Sequence, residues 1–352
     1  MKKRFMFFAL FFCSILFAFG QSVYHISGIA YGNGRFVAVA GSLWNNQPSG
    51  RIAHSVDGIS WTAVTANIGF GGHRITSIVY GGGRFVAVGE GGRIAISTDG
   101  ISWLAVTNST FGNDEAIGSV AYGGGRFVAV SQSGRIAHSA DGISWTQSSN
   151  SAFAGRANLS VGGVTYNDGN RRFIVRGLEG DNWMNMEIVM AHSADGINWS
   201  PLSNSTFGAN TSVNDISYGN GRFVAIIYNR TNYQFSTMVS TDGANWMPQT
   251  NVPSIVFYWE EHLFQIVYGG GRFVAVGRGG AAGSRWEVRL HSSDGVNWTR
   301  VRDDIFPMDA GPEIDGFSSV VYGNGRFIAV GGIIALSTDG INWMAINTSV
   351  FR

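Results

Sequence analysis

The sequence predicts an all-β protein assembled from seven copies of a four-stranded antiparallel unit, on three observations. An element centred on Tyr-Gly-x-Gly-Arg-Phe starts at Tyr31, Tyr80, Tyr122, Tyr166, Tyr218, Tyr268 and Tyr322. A second element, Ser-x-Asp-Gly-x-x-Trp, follows each copy and ends at Trp61, Trp103, Trp145, Trp199, Trp246, Trp298 and Trp343. The segments between are β-branched and aromatic, punctuated by many of the 50 glycines, and no helical period appears after residue 20. Successive tyrosines lie 42 to 54 residues apart, a period typical of units arranged radially around an axis. A lone meander cannot bury both of its faces, whereas a closed ring of seven can, so the expected architecture is a seven-bladed β-propeller.

Residues 1–20 read as a separate element. Met1-Lys2-Lys3-Arg4 is basic, Phe5 to Phe17 is apolar, and Ala18-Phe19-Gly20 offers small residues where a signal peptidase cuts. A secretory signal removed before Gln21 is expected, leaving 21–352 as one propeller with repeats near 26–65, 75–107, 117–149, 161–203, 213–250, 263–302 and 317–347. This places the protein in the periplasm, on the cell surface or outside the cell, as a monomer with no remaining transmembrane span. Its only cysteine, Cys13, would leave with the signal, excluding disulfides and thiol chemistry. The remaining 21 arginines against 23 acidic residues give about −2, which argues against nucleic-acid binding.

Within a unit, the second copy is the plainest. Ile75–Tyr80 is a first strand, Gly81-Gly82-Gly83 a tight turn, and Arg84–Val88 a second strand. Arg93–Ser97 is the third and Ile101–Val106 the fourth, with Asp99-Gly100 read as a type I′ hairpin turn between them. The Ser-x-Asp-Gly-x-x-Trp element resembles the Asp-box, or BNR, repeat of sialidase-like, sortilin-like and photosystem-assembly-factor-like propellers. It departs from the usual Ser-x-Asp-x-Gly-x-x-Trp by one residue in every copy. The resemblance implies that Asp57, Asp99, Asp141, Asp195, Asp242, Asp294 and Asp339 are structural, as does their sevenfold repetition.

The same repetition marks Arg35, Arg84, Arg126, Arg172, Arg222, Arg272 and Arg326 as structural, paired with the box aspartates or with carbonyls. His54, His138, His192 and His291 share a column with Ile96, Val239 and Leu336, which suits packing and not metal ligation. No metal or other cofactor is expected. What breaks the symmetry lies in the second turns and the connectors between units, on one face of the ring. Candidate binding residues there are Trp44, Trp183, Tyr228, Tyr233, Trp259, Glu260, Trp286 and Asp304, because exposed aromatics beside carboxylates suit a glycan or a protein partner.

The expected function is therefore a non-catalytic binding or scaffold propeller. The alternative is a sialidase-like glycoside hydrolase, which requires an arginine cluster and a Tyr/Glu pair that no motif here supplies. A copper oxidase of the galactose-oxidase kind needs a cysteine crosslinked to tyrosine, which the chain after residue 20 lacks.

Overall fold

A computed structural model describes residues 24–42, 50–65, 68–149, 153, 156, 158–180, 186–202, 207–208, 210–243, 245–249, 261–280, 286–301 and 316–346. The expected signal segment and most connectors lie outside these. The described residues form seven four-stranded antiparallel sheets, each in simple sequence order, and no helix. The protein is a seven-bladed β-propeller. Its innermost strands are Tyr24–Gly32, Ile75–Gly81, Ile117–Gly123, Leu159–Asn167, Thr211–Gly219, His262–Gly269 and Phe317–Gly323. The fourth strands are short outer edges of two or three residues, such as Leu104–Val106, starting only after the box tryptophan. Short edges leave few unpaired backbone groups to recruit another chain.

The second strands carry the core. The residues after the repeat arginine, Phe85-Val-Ala-Val88 in blade 2, are fully buried because a neighbouring sheet covers each face. Seven apolar clusters form, each drawing residues from two adjacent blades. In every blade the repeat tyrosine tilts over the phenylalanine of the paired strand, ring centres 4.6–4.8 Å apart.

The turn between first and second strands is the type I′ hairpin. Asn33 and Gly34 have φ of 48° and 70°, and Gly82 and Gly83 have 54° and 77°. Only glycine and asparagine occupy the first of these positions in the six blades with two-residue turns, as positive φ demands. Blade 4 instead has a four-residue loop, Asp168 to Arg171, between the paired Asn167 and Arg172. The glycine before this turn serves a different purpose, because a Cβ on Gly81 would overlap the Tyr122 ring of the next blade. The same holds for Gly32 against Tyr80 and Gly323 against Tyr31, so this contact runs across the closure. In blade 4, Asn167 takes the glycine's place and Gly169, inside the longer loop, receives Tyr218.

No sheet among the described residues borrows a strand from another blade. The ring closes instead through side chains. Ile26, Phe36 and Ala53 of blade 1 share one cluster with Ile328, Val330 and Leu336 of blade 7. Arg326 Nη1 donates to the Asp57 carbonyl at 2.6 Å.

Candidate functional site

The serine, aspartate and glycine of each box are bonded within their own turn. In all seven boxes the serine hydroxyl donates to the aspartate Oδ1 at 2.9–3.0 Å. The same Oδ1 accepts the backbone N–H three residues on, at 2.8–2.9 Å. The box glycine, at φ 71° to 74°, donates its N–H to the serine hydroxyl. The aspartates do not have positive φ, so the box is an Asx-type turn and not the type I′ hairpin that Asp-Gly suggested. From Ser55 to Thr62 the chain needs room for the tryptophan, whose Nε1 reaches back to the Gly58 carbonyl at 3.0 Å.

These bonds depress the carboxyls. Asp141 is held down to about 2, chiefly by the Ser144 N–H. At Asp294 and Asp339 partial burial pushes upward, but the N–H groups of Asn297 and Val296, and of Asn342 and Ile341, outweigh it and hold both at about 2.

Four of the repeat arginines bond histidines, and Arg326 the Asp57 carbonyl. Arg35, Arg126, Arg172 and Arg272 donate from Nη1 to Nδ1 of His54, His138, His192 and His291 on the adjacent strand, at 2.9–3.2 Å. Burial first, and the arginine second, lowers each of these histidines below its ordinary value. They are neutral acceptors fixed by their arginines, and among the described residues no cluster capable of holding a metal forms.

Of the expected binding residues, Trp44, Trp183, Trp259, Glu260 and Asp304 lie outside the described residues. Trp286 opens the third strand of blade 6, opposite Gly279. Tyr228 and Tyr233 flank the second turn of blade 5. Tyr233 is exposed at φ 58°, while Tyr228 packs on Phe235 and His262 with ring centres 4.7 and 5.6 Å away. Burial raises the Tyr228 hydroxyl above its ordinary value. Between the two tyrosines stands Arg230, which the sequence reading passed over.

Arg230 belongs to a site that only the seams between blades reveal. Each first strand carries a bulge, and two consecutive positions there face the next blade. At the first position, Ser27, Thr76, Asn214 and Ser318 donate to first-strand carbonyls of the following blade at 2.5–2.7 Å. At the second, Ser77, Ser119, Asp215 and Gln265 accept its backbone N–H groups at 2.7–3.4 Å. Blade 4 alone has glycine at both, Gly162 and Gly163.

Arg176 spans that gap instead. Its Nε donates to the Asn214 carbonyl at 2.9 Å and its Nη2 pairs with Asp215 Oδ1 at 3.1 Å. Burial raises Asp215 above its ordinary value, while the Arg176 charge and the Ile266 and Ile216 N–H groups oppose the rise.

A cleft of roughly 410 Å³ opens at this seam, lined by Ser160, Arg176, Leu178, Ser212, Arg230 and Phe264 among others. Gly162, Arg176 and Phe264 also line a polar central cavity of roughly 210 Å³. Burial lowers the Arg230 guanidinium, and its buried Nη1 donates to no partner. An unsatisfied buried donor of this kind costs about 1–3 kcal/mol. The carboxylate that the cleft's surroundings provide, Asp215, is already engaged by Arg176 and by the Ile266 N–H at 3.1 Å. The signal for the site was present in the repeat alignment, as Val161-Gly162-Gly163 where other blades read Ile75-Thr76-Ser77 or Phe317-Ser318-Ser319.

No family profile and no curated protein matches the chain. Solved structures do. A YCF48 bound to a D1 peptide aligns with TM-score 0.50 at 19% identity, over 76% of this chain and 79% of that one. An ancestral GH74 enzyme aligns with TM-score 0.61 at 12% identity, over 93% of this chain and 46% of that one. The extracellular domain of BT4673 from B. thetaiotaomicron aligns with TM-score 0.57 at 12% identity, over 90% and 39%. This chain thus spans less than half the length of the last two. At such identities the likeness is one of fold, and the chain is a seven-bladed β-propeller with a Ser-x-Asp-Gly-x-x-Trp turn in each blade.

Proposed function

We propose that the protein is an exported, non-catalytic scaffold that captures a partner on the face bearing its second turns and connectors, residues 1–20 being its secretory signal. The observation that supports this reading is the division of labour between the faces. The serine, aspartate and glycine of the box bond one another in every blade, whereas the opposite face carries the exposed Tyr233 beside Tyr228. Variable loops on a rigid ring are a usual place for recognition. A protein partner is favoured over a glycan by the peptide-bound YCF48, which shares the fold. No helix among the described residues is long and apolar enough to cross a membrane.

The test is crosslinking in the native envelope, comparing wild type with a variant in which Trp183, Trp259 and Trp286 are alanine, beside a glycan array. A specific crosslinked protein lost in the variant is the expected result. Identical crosslinks from both proteins, or glycan hydrolysis above blank, would sink the reading.

A further inference from the structure

Six of the seven seams hold their first strands together with a polar side chain at one or both bulge positions, blade 6 through Gln265 after Phe264. The seam between blades 4 and 5 has neither, and Gly162 lines the cleft beside Arg176 and Arg230. Nothing in the backbone requires glycine there. Neither residue has positive φ, and a Cβ on Gly162 would approach nothing nearer than the Arg176 carbonyl at 3.7 Å. The missing side chain at Gly162 therefore leaves open space, whereas the room at Gly163 is taken by the Arg176 guanidinium, 3.1 Å from where a Cβ would sit.

From this geometry we infer that the cleft binds a small organic carboxylate, its anionic end on Arg230 and its apolar part against Leu178 and Phe264. The charge count selects the anion. Arg176 and Asp215 neutralise each other at 3.1 Å, so Arg230 is the surplus cation of the cleft. Its Nη1 is shielded from solvent and unmatched, and the planar two-oxygen carboxylate fits a guanidinium fork. Ser160 and Ser212 stand in the same lining as hydroxyl donors. A phosphate dianion fits less well, since one surplus cation would face two negative charges beside the Asp215 carboxylate. The volume lies in the range of small-molecule sites, about 300–1,000 Å³. The aromatic Phe264 wall, which also meets the Arg278 guanidinium at 5.5 Å, offers a face for an aryl or alkyl group. This site uses the seam and not the loop tryptophans, so it stands apart from partner capture.

Calorimetric titration of the purified protein with benzoate, acetate and inorganic phosphate tests it. Saturable one-to-one benzoate binding is expected, weakened at least about tenfold in Arg230→Gln, with the melting curve unchanged. The triple-tryptophan variant is expected to bind benzoate as wild type does, which separates this inference from the scaffold reading. Should Arg230→Gln fail to fold, amide shift mapping on the wild type serves instead, with benzoate shifting Ser160, Ser212 and Asn214. No saturable benzoate binding, undiminished binding in Arg230→Gln, shifts elsewhere, or phosphate bound as tightly as benzoate would each overturn it.

Discussion

Two glycines on first strands illustrate how differently one residue type is used. Gly81 exists because Tyr122 of the next blade lies against its Cα, leaving no room for a methyl group. Gly81→Ala must push a core-facing ring aside, and a loss of about 2–4 kcal/mol is expected in urea unfolding. Gly162 has open space at the same position that serine fills in blades 1 and 7. Gly162→Ser is expected to supply the missing hydroxyl bond to the Val213 carbonyl and to stabilise the ring by about 0.5–1 kcal/mol. A destabilisation larger than that gain would show that the fourth seam depends on its gap.

The box and the arginine–histidine pair each act as small elements with their own pH signature. The box aspartates Asp141, Asp294 and Asp339 lie at about 2 when folded, below the ordinary 3.8. A lowered carboxyl contributes stability that is complete above the unfolded value and lost as pH falls. Stability is therefore expected to decline between about pH 4 and pH 2, measured by thermal melting. Asp141→Asn is expected to flatten that decline and to speed hydrogen exchange at the Ile143 and Ser144 amides, its former donors.

The histidines have lowered values too, so the folded state binds their protons less readily than the unfolded chain. Their contribution is complete above 6.5 and is lost as pH falls from 6.5 toward the folded values. Replacing His54, His138, His192 and His291 with leucine, as blade 7 has at Leu336, is expected to reduce the slope below 6.5 to what the likewise lowered His262 contributes, while leaving the acid limb below 4.

At the scale of the whole ring, closure among the described residues is made by side-chain packing, the Ser318 hydroxyl on the Ile26 carbonyl and one cross-seam arginine, with each blade drawn from contiguous sequence. The seam between blades 7 and 1 is then equivalent to any other. Ile328 there and Ile174 at the fourth seam occupy the same repeat column, 0% and 2% exposed. Alanine at either is expected to cost about 2–4 kcal/mol, the two agreeing within about 1 kcal/mol, in one unfolding transition. A separate early transition in Ile328→Ala would identify the closure as the weak point.

The repeat by itself determined the blade count, the strand order within a blade and the buried second strands. These follow from local periods, turn residues and the need to cover both faces of a short sheet. Reading Asp-Gly as the hairpin failed because the serine and tryptophan of the box outweigh a dipeptide preference, while the type I′ turn fell on Asn33-Gly34 and its equivalents. Only the tertiary structure decided which blades the arginines and tyrosines touch, that no described sheet borrows a strand, and that Arg176, Asp215 and Arg230 share one seam. Those residues are distant in sequence and lie at different repeat positions. Their meeting depends on how adjacent blades pack, and on two absent side chains that gain meaning only when the neighbouring strand stands beside them.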